Sequence, residues 1–410
     1  MGVIGTGGRP LRQLVLIASA QALALGTWFA ASAAAPALRV EWQLSGVQVS
    51  LLTVMIQLGF VVGALVSAML SLPDRLPAPL LMAVGSLGAG LCTGAAAITA
   101  HGLGTIVPLL ALTGLCLAVV YPVGLKLASS WFVARRGLAL GVLVGALTLG
   151  SSLPRLVGGS LGAHWRLAMG VAAASAVVAA ALSALARCGP HLGRSIALHP
   201  RIVLDLLRQP GPRLANIGYF GHMWELYAVW AWIPTYLAVS AAASRTPLPD
   251  ALLGAVVFVT FGVFGFGGCL LAGVLGDRFG RSRVAAVAMV TSGSCCLLAA
   301  ALFGRPLWLL LPVLAVWGAA VIADSAMFSA CTTAVVEASC TGTALAFQTA
   351  VGFGITAITI QGVPLIAAAY GWPAVMGLLA VGPLLGAVAM RRLGPLLPSG
   401  SPSAASPVNT

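Results

Sequence analysis

The segment GYFGHMWELYAVWAW (218–232) sets His222 and Glu225 three positions apart among apolar and aromatic neighbours. Three positions along a helix place two side chains on one face, so the pair offers an imidazole and a carboxylate side by side. Asp324, in VIADSAMFS, is a second isolated carboxylate. Arg155, in LPRLVGG, is an isolated guanidinium, a planar group that takes a carboxylate or a nitrate-like anion through two parallel hydrogen bonds. HxxE is also a short metal or acid–base pattern. The remaining histidines, His101, His164, His191 and His199, fall outside the apolar runs. An intramembrane enzyme is therefore the weaker expectation, and neither metal nor cofactor is expected.

These few charges stand in a chain of 410 residues that is 60% hydrophobic and 7% charged, with a mean hydropathy of +1.04. A soluble domain carries about 25% charged residues, so this chain cannot cover a water-facing surface. A bilayer admits only helices or closed barrels. The apolar runs here are continuous and near twenty residues rather than alternating, which selects helices. The net charge of +13 forms no basic stripe with stacking aromatics, so nucleic acid is not an expected partner. The eight cysteines lack metal-ligand spacing and read as small buried thiols. Arg9 and Arg12 precede an apolar run too long for a secretory leader, which reads as an uncleaved first helix.

Hydropathy predicts twelve spans, near 13–38, 47–71, 79–99, 105–130, 138–161, 167–186, 215–240, 251–272, 284–303, 307–332, 342–368 and 372–390. The fold class is an all-α membrane protein of two six-helix halves. Residues 1–186 form the first half, 187–214 a basic linker, 215–392 the second half and 393–410 a disordered tail. With the N-terminus inside, fifteen arginines lie in inner segments and four (Arg39, Arg166, Arg245 and Arg305) in outer loops. That asymmetry predicts cytoplasmic termini and contact of the basic segments with anionic inner-leaflet lipids of the plasma membrane. The halves echo one another: LPDRLP (72–77) returns as LGDRFG (275–280), and HWRLAMG (164–170) as GWPAVMG (371–377). Parallel half-repeats of this kind frame a midplane substrate site in one transporter architecture.

GVLGDRFGRSR (273–283) resembles the signature loop of the major facilitator superfamily, with Gly273, Asp277, Arg278, Gly280, Arg281 and Arg283 on the pattern. The N-terminal copy keeps Asp74 and Arg75 but has Leu70, Pro77 and Ala78 at the other motif positions, whereas family members usually keep this copy better. LPRLVGG departs from the G-P-x-x-G-G of proton-linked drug exporters. YPVGLKLASSWF (121–132) and RRGLALG (135–141) are similar to segments of nitrate/nitrite, cyanate and organic-anion porters. The resemblance implies a secondary active transporter, not an enzyme, that works as a monomer by rocking its halves, with both copies of the loop as a cytoplasmic gate.

It also implies that spans one, four, seven and ten line the cavity. Glu225, tuned by His222, and Asp324 are then the candidate proton-coupling groups, since a carboxylate alternating between dry and wet surroundings can load and release a proton. Arg155, Tyr121, Trp28, Phe29, Tyr227, Trp232 and Trp317 are the candidate substrate contacts. Lys126, the single lysine, is expected to snorkel to the inner interface. Proton-coupled uptake of a small organic or inorganic anion is the first expectation. Export of amphipathic compounds and a non-transporting sensor are the alternatives.

Overall fold

The computed structural model describes residues 8–132, 136–161, 164–191, 207–337 and 340–397. The centre of the basic linker, the tail beyond 397 and the side chain of Asp74 lie outside the described residues. Twelve helices are long and apolar enough to cross a membrane: Pro10–Glu41, Gly46–Met69, Ala78–Thr99, Leu103–Ser129, Gly137–Val157 and Trp165–Leu185, then Pro210–Ala243, Asp250–Phe279, Arg281–Ala301, Leu307–Val335, Thr343–Tyr370 and Trp372–Leu396. They are spans one to twelve, and no strand occurs among the described residues. The protein is an all-α, twelve-span membrane bundle.

Its exterior differs from that of a soluble protein. Large aliphatic side chains such as Val62, Ile98, Val287 and Ile358 face outward, while the interior combines alanine, glycine and serine with aromatic rings and with leucines and isoleucines such as Leu25, Leu52 and Ile56. Lipid solvates a leucine as well as protein does, so helices associate through small residues that let backbones approach. Span five runs along span eight, and span two along span eleven, joining the two halves. The basic end, which carries Arg75, Arg187, Arg278 and Arg391, lies opposite the end that carries Arg39, Arg166, Arg245 and Arg305.

Local sequence explains where the helices start and where they falter. Span two opens on a capping box: Ser45 Oγ accepts from the Gln48 amide and Gln48 Oε1 from the Ser45 amide, at 3.3 and 2.9 Å. Span one is interrupted by a 3-10 turn, Gly26–Trp28. Span four breaks over 118–120, just before Pro122, whose ring removes an amide donor. Span ten is interrupted at Asp324, 206 positions after Ala118, which matches the spacing of the half-repeat. Span eight contains a π-helical stretch, Phe258–Val263. Span seven is a continuous helix of 34 residues. Three of the four spans expected at the centre are therefore interrupted near mid-membrane, where irregular backbone is tolerated only inside protein or beside a cavity.

Candidate functional site

A cavity of about 670 Å³ enters the bundle from the end opposite the basic one. Exposed Arg39, Glu41 and Asp250 stand at its mouth, and buried Arg155, Trp232 and Ile360 at its base. Its walls come from spans one, two, five, seven, eight and eleven. Residues from both halves therefore share it.

Arg155 is 7% exposed. Its Nη2 donates to the carbonyl oxygen of Trp230, and its guanidinium lies 5.4 Å from the centroid of the Phe29 ring. None of the ion pairs among the described residues involves it. The Trp230 carbonyl is available because Pro234, four residues on in the same helix, has no N–H to return to it. The same logic holds across the cavity. Trp232 Nε1 donates to the Ile360 carbonyl at 3.0 Å, and Pro364 is the residue that leaves that carbonyl free. Two prolines thus supply acceptors that fix an arginine and a tryptophan at the cavity base. Above them, the hydroxyls of Ser32 and Thr53 bond to each other, and Ser50 Oγ donates to Gln361 Oε1 at 2.5 Å, tying span two to span eleven.

Below the base, four rings meet where the halves join. Trp28 and Phe60 come from the N-terminal half, Tyr227 and Phe353 from the other. Trp28 lies 5.0 Å from Phe60, 5.7 Å from Tyr227 and 5.6 Å from Phe353, and Phe60 lies 4.6 Å from Phe353. Phe29 stacks on Tyr227 at 6.1 Å. Beside them Thr356 donates to Gln57 Oε1. The buried Trp28 Nε1 and Gln57 Nε2 have no hydrogen-bond partner.

The acidic candidates sit elsewhere, inside the C-terminal half. Glu225 does not pair with His222. Its Oε1 accepts from Ser292 Oγ at 2.7 Å, Cys296 Sγ at 3.0 Å and Trp317 Nε1 at 2.6 Å, all from spans nine and ten. His222 Nδ1 lies 2.9 Å from Asp324 Oδ1, and its Nε2 lies 2.8 Å from Ser325 Oγ, at the interruption of span ten. The expected tuning of Glu225 by His222 is therefore replaced by a His222–Asp324 pair. The two residues share a face of span seven but stand one turn apart, and each meets a different turn of span ten. Of the expected substrate contacts only Arg155 and Trp232 line this cavity: Trp317 is fully buried as a partner of Glu225, Trp28, Phe29 and Tyr227 belong to the ring cluster, and Tyr121 also lies outside the lining.

At the basic end the C-terminal signature loop is a one-residue turn. Span eight ends at Phe279, Gly280 adopts φ +93°, and span nine starts at Arg281. A side chain at that φ is strained, so the motif glycine is required there. Asp277 lies 3.9 Å from Arg281 Nη2, and its carboxylate covers Gly137, where a Cβ would come within 2.5 Å of Oδ1. Gly137 opens the first turn of span five, whose free amides favour a negative charge. Gly273 approaches the backbone of the same turn closely enough that a Cβ would lie 2.7 Å from the Gly137 carbonyl oxygen. Arg278 lies over the Phe279 ring at 5.1 Å, and Arg283 is exposed. The N-terminal copy is looser: Ser71 adopts φ +50°, a short helix Leu72–Arg75 follows, Lys126 Nζ holds the Pro73 carbonyl at 3.1 Å, and Arg75 is exposed.

Sequence reasoning passed over Phe60, Phe353, Gln57 and Thr356, which carry no charge to flag them. The two carbonyl acceptors were signalled by Pro234 and Pro364. Among known proteins, the family model of the Major Facilitator Superfamily matches residues 17–359. No curated protein matches the chain.

Proposed function

The chain belongs to the Major Facilitator Superfamily, a family of secondary transporters, and we propose that its solute is a small anion taken up together with protons. The observation that carries this reading is Arg155. A buried guanidinium is costly unless an opposite charge meets it, and here its protein partners are a carbonyl and a ring. An anion entering the cavity would supply the missing charge and its two acceptors.

The rest of the geometry supports a carrying cycle. With the arginine-rich end in the cytoplasm, as the charge asymmetry favours, the cavity faces outside. The aromatic floor and the Asp277–Gly137 contact keep the inner side shut. Rocking of the halves about the floor would close the mouth and part spans five and eight, exposing Arg155 to the cytoplasm. We assign the coupling proton to the His222–Asp324 pair, because it sits at the interruption of span ten, where the helix can bend. Glu225, held by three donors from its own half, serves as a brace between spans seven, nine and ten. The protein would then be a plasma-membrane symporter with both termini inside.

Uptake into proteoliposomes with an imposed proton gradient tests the reading. Anion accumulation that collapses when the gradient is dissipated, and that is lost in Arg155→Gln, is the expected result. Transport of lipophilic cations indifferent to Arg155→Gln would overturn it in favour of export of amphipathic compounds.

A further inference from the structure

We propose that the anion is an organic monocarboxylate with an apolar body, and that its carboxylate sits on Arg155 with the body against the C-terminal half. This rests on the assignment of Arg155 as the anion anchor and narrows it.

The cavity has one buried cation. Its other charged residues, Arg39, Glu41 and Asp250, stand at the mouth, where they are exposed. A single negative charge is neutralised at the base. A second carboxylate on the same ligand would be left either against apolar wall or at the exposed mouth, where Arg39 is outnumbered by Glu41 and Asp250 and any pairing is screened by solvent. The walls between base and mouth are largely apolar, with Ala231, Pro234, Leu253 and Val257 from the C-terminal half and Ala33 and Val49 from the other. Of the hydroxyls among them, Ser32 is engaged with Thr53 and Ser50 with Gln361, which leaves Thr235 as the single wall hydroxyl open to a ligand among the described residues. A strongly hydrated or hydroxyl-rich solute would find few partners in that wall.

Size points the same way. A cavity of about 670 Å³ lies within the range, roughly 300–1,000 Å³, of sites that enclose metabolite- or drug-sized ligands. A nitrate-like ion would fill a small corner and leave the apolar wall wet. Trp232, fixed by its bond to the Ile360 carbonyl, brings a rigid ring to the same cavity lining as Arg155. A guanidinium end and a fixed ring, joined by aliphatic wall, match an aromatic or branched aliphatic acid.

Thermal stabilisation of the detergent-purified full chain by benzoate, nitrate, succinate and benzylamine is the test, followed by competition for uptake in proteoliposomes. Benzoate is expected to stabilise, with succinate and nitrate at least about tenfold weaker, and Arg155→Gln is expected to abolish the benzoate response. Arg155→Lys keeps the charge but loses the planar fork, and is expected to retain a response weakened about tenfold. Leu253→Trp, which fills the apolar wall, should weaken benzoate and spare nitrate. If nitrate matches benzoate and both depend on Arg155, the anchor stands and the monocarboxylate class falls. If benzylamine stabilises regardless of Arg155, the anchor falls with it. Stabilisation by none of the four, in a wild-type protein that unfolds cooperatively, overturns the proposal.

Discussion

In the N-terminal half the deepest charged side chain, Arg155, meets a backbone carbonyl, an aromatic ring and the cavity. In the C-terminal half, Glu225 and Asp324 are each met by side chains of that half: three donors on one, an imidazole on the other. One half thus carries a buried cation with no side-chain counter-charge among the described residues, and the other carries carboxylates met by side chains of their own half. A duplicated bundle need not duplicate its chemistry. The repeat keeps the geometry, visible in the matching interruptions of spans four and ten, while solute binding and proton handling can be divided between halves.

The strongest way to break this division is Arg155→Gln. Losing two charge-assisted hydrogen bonds, each worth about 1.5–3 kcal/mol, should weaken anion affinity by roughly 100-fold or more, measured as the concentration for half-maximal uptake. The empty protein should unfold at an unchanged or higher temperature, since an unpaired buried charge is removed. A parallel fall in stability would place Arg155 among the structural residues instead. Asp324→Asn comes next. It should abolish gradient-driven accumulation, by about tenfold or more in the steady-state ratio, while leaving anion exchange across the membrane intact. Loss of both activities together would show that the pair does more than handle protons.

Glu225 sharpens the comparison through two substitutions. Glu225→Leu leaves three buried donors unsatisfied, at about 1–3 kcal/mol each, and should lower the unfolding temperature markedly. Glu225→Gln keeps an acceptor oxygen and should preserve both stability and the pH profile of uptake. A flattened pH profile in Glu225→Gln would return the coupling role to that residue. A smaller effect is expected from Pro234→Ala. The new amide can return to the Trp230 carbonyl and compete with Arg155 for it, so affinity should change severalfold at most while the fold is kept. Smallest is Gly280→Ala, where a side chain at positive φ costs about 1 kcal/mol, read as a small drop in unfolding temperature.

The bundle was legible because its signals are local and repeated. Hydropathy marks span seven at 215–240, and the helix is Pro210–Ala243; its apolar run marks the core, while its ends extend on a proline start and a small-residue finish that hydropathy does not see. The signature loop was legible as a motif, and its glycine proves to be the whole turn. The partners of the charged residues were less legible. Spacing places His222 and Glu225 on one face, but which turn of span ten each meets depends on how far the helices are rotated and offset. The aromatic floor was half seen. Trp28 and Tyr227 stood out, whereas Phe60 and Phe353 look like any phenylalanine of a lipid-facing helix. The fixing of Arg155 and Trp232 could have been read from the prolines, by asking which carbonyl each one releases.

A membrane that stores energy as a voltage is only as good as its insulation. Trp28, Phe60, Tyr227 and Phe353 close the bundle with ring faces and edges where the two halves meet, and a bare ion crossing such a layer would shed its water without replacement. Between turnovers the protein is therefore a dielectric plug rather than a wire. On the function proposed above, many copies would sit in an energised membrane without running it down.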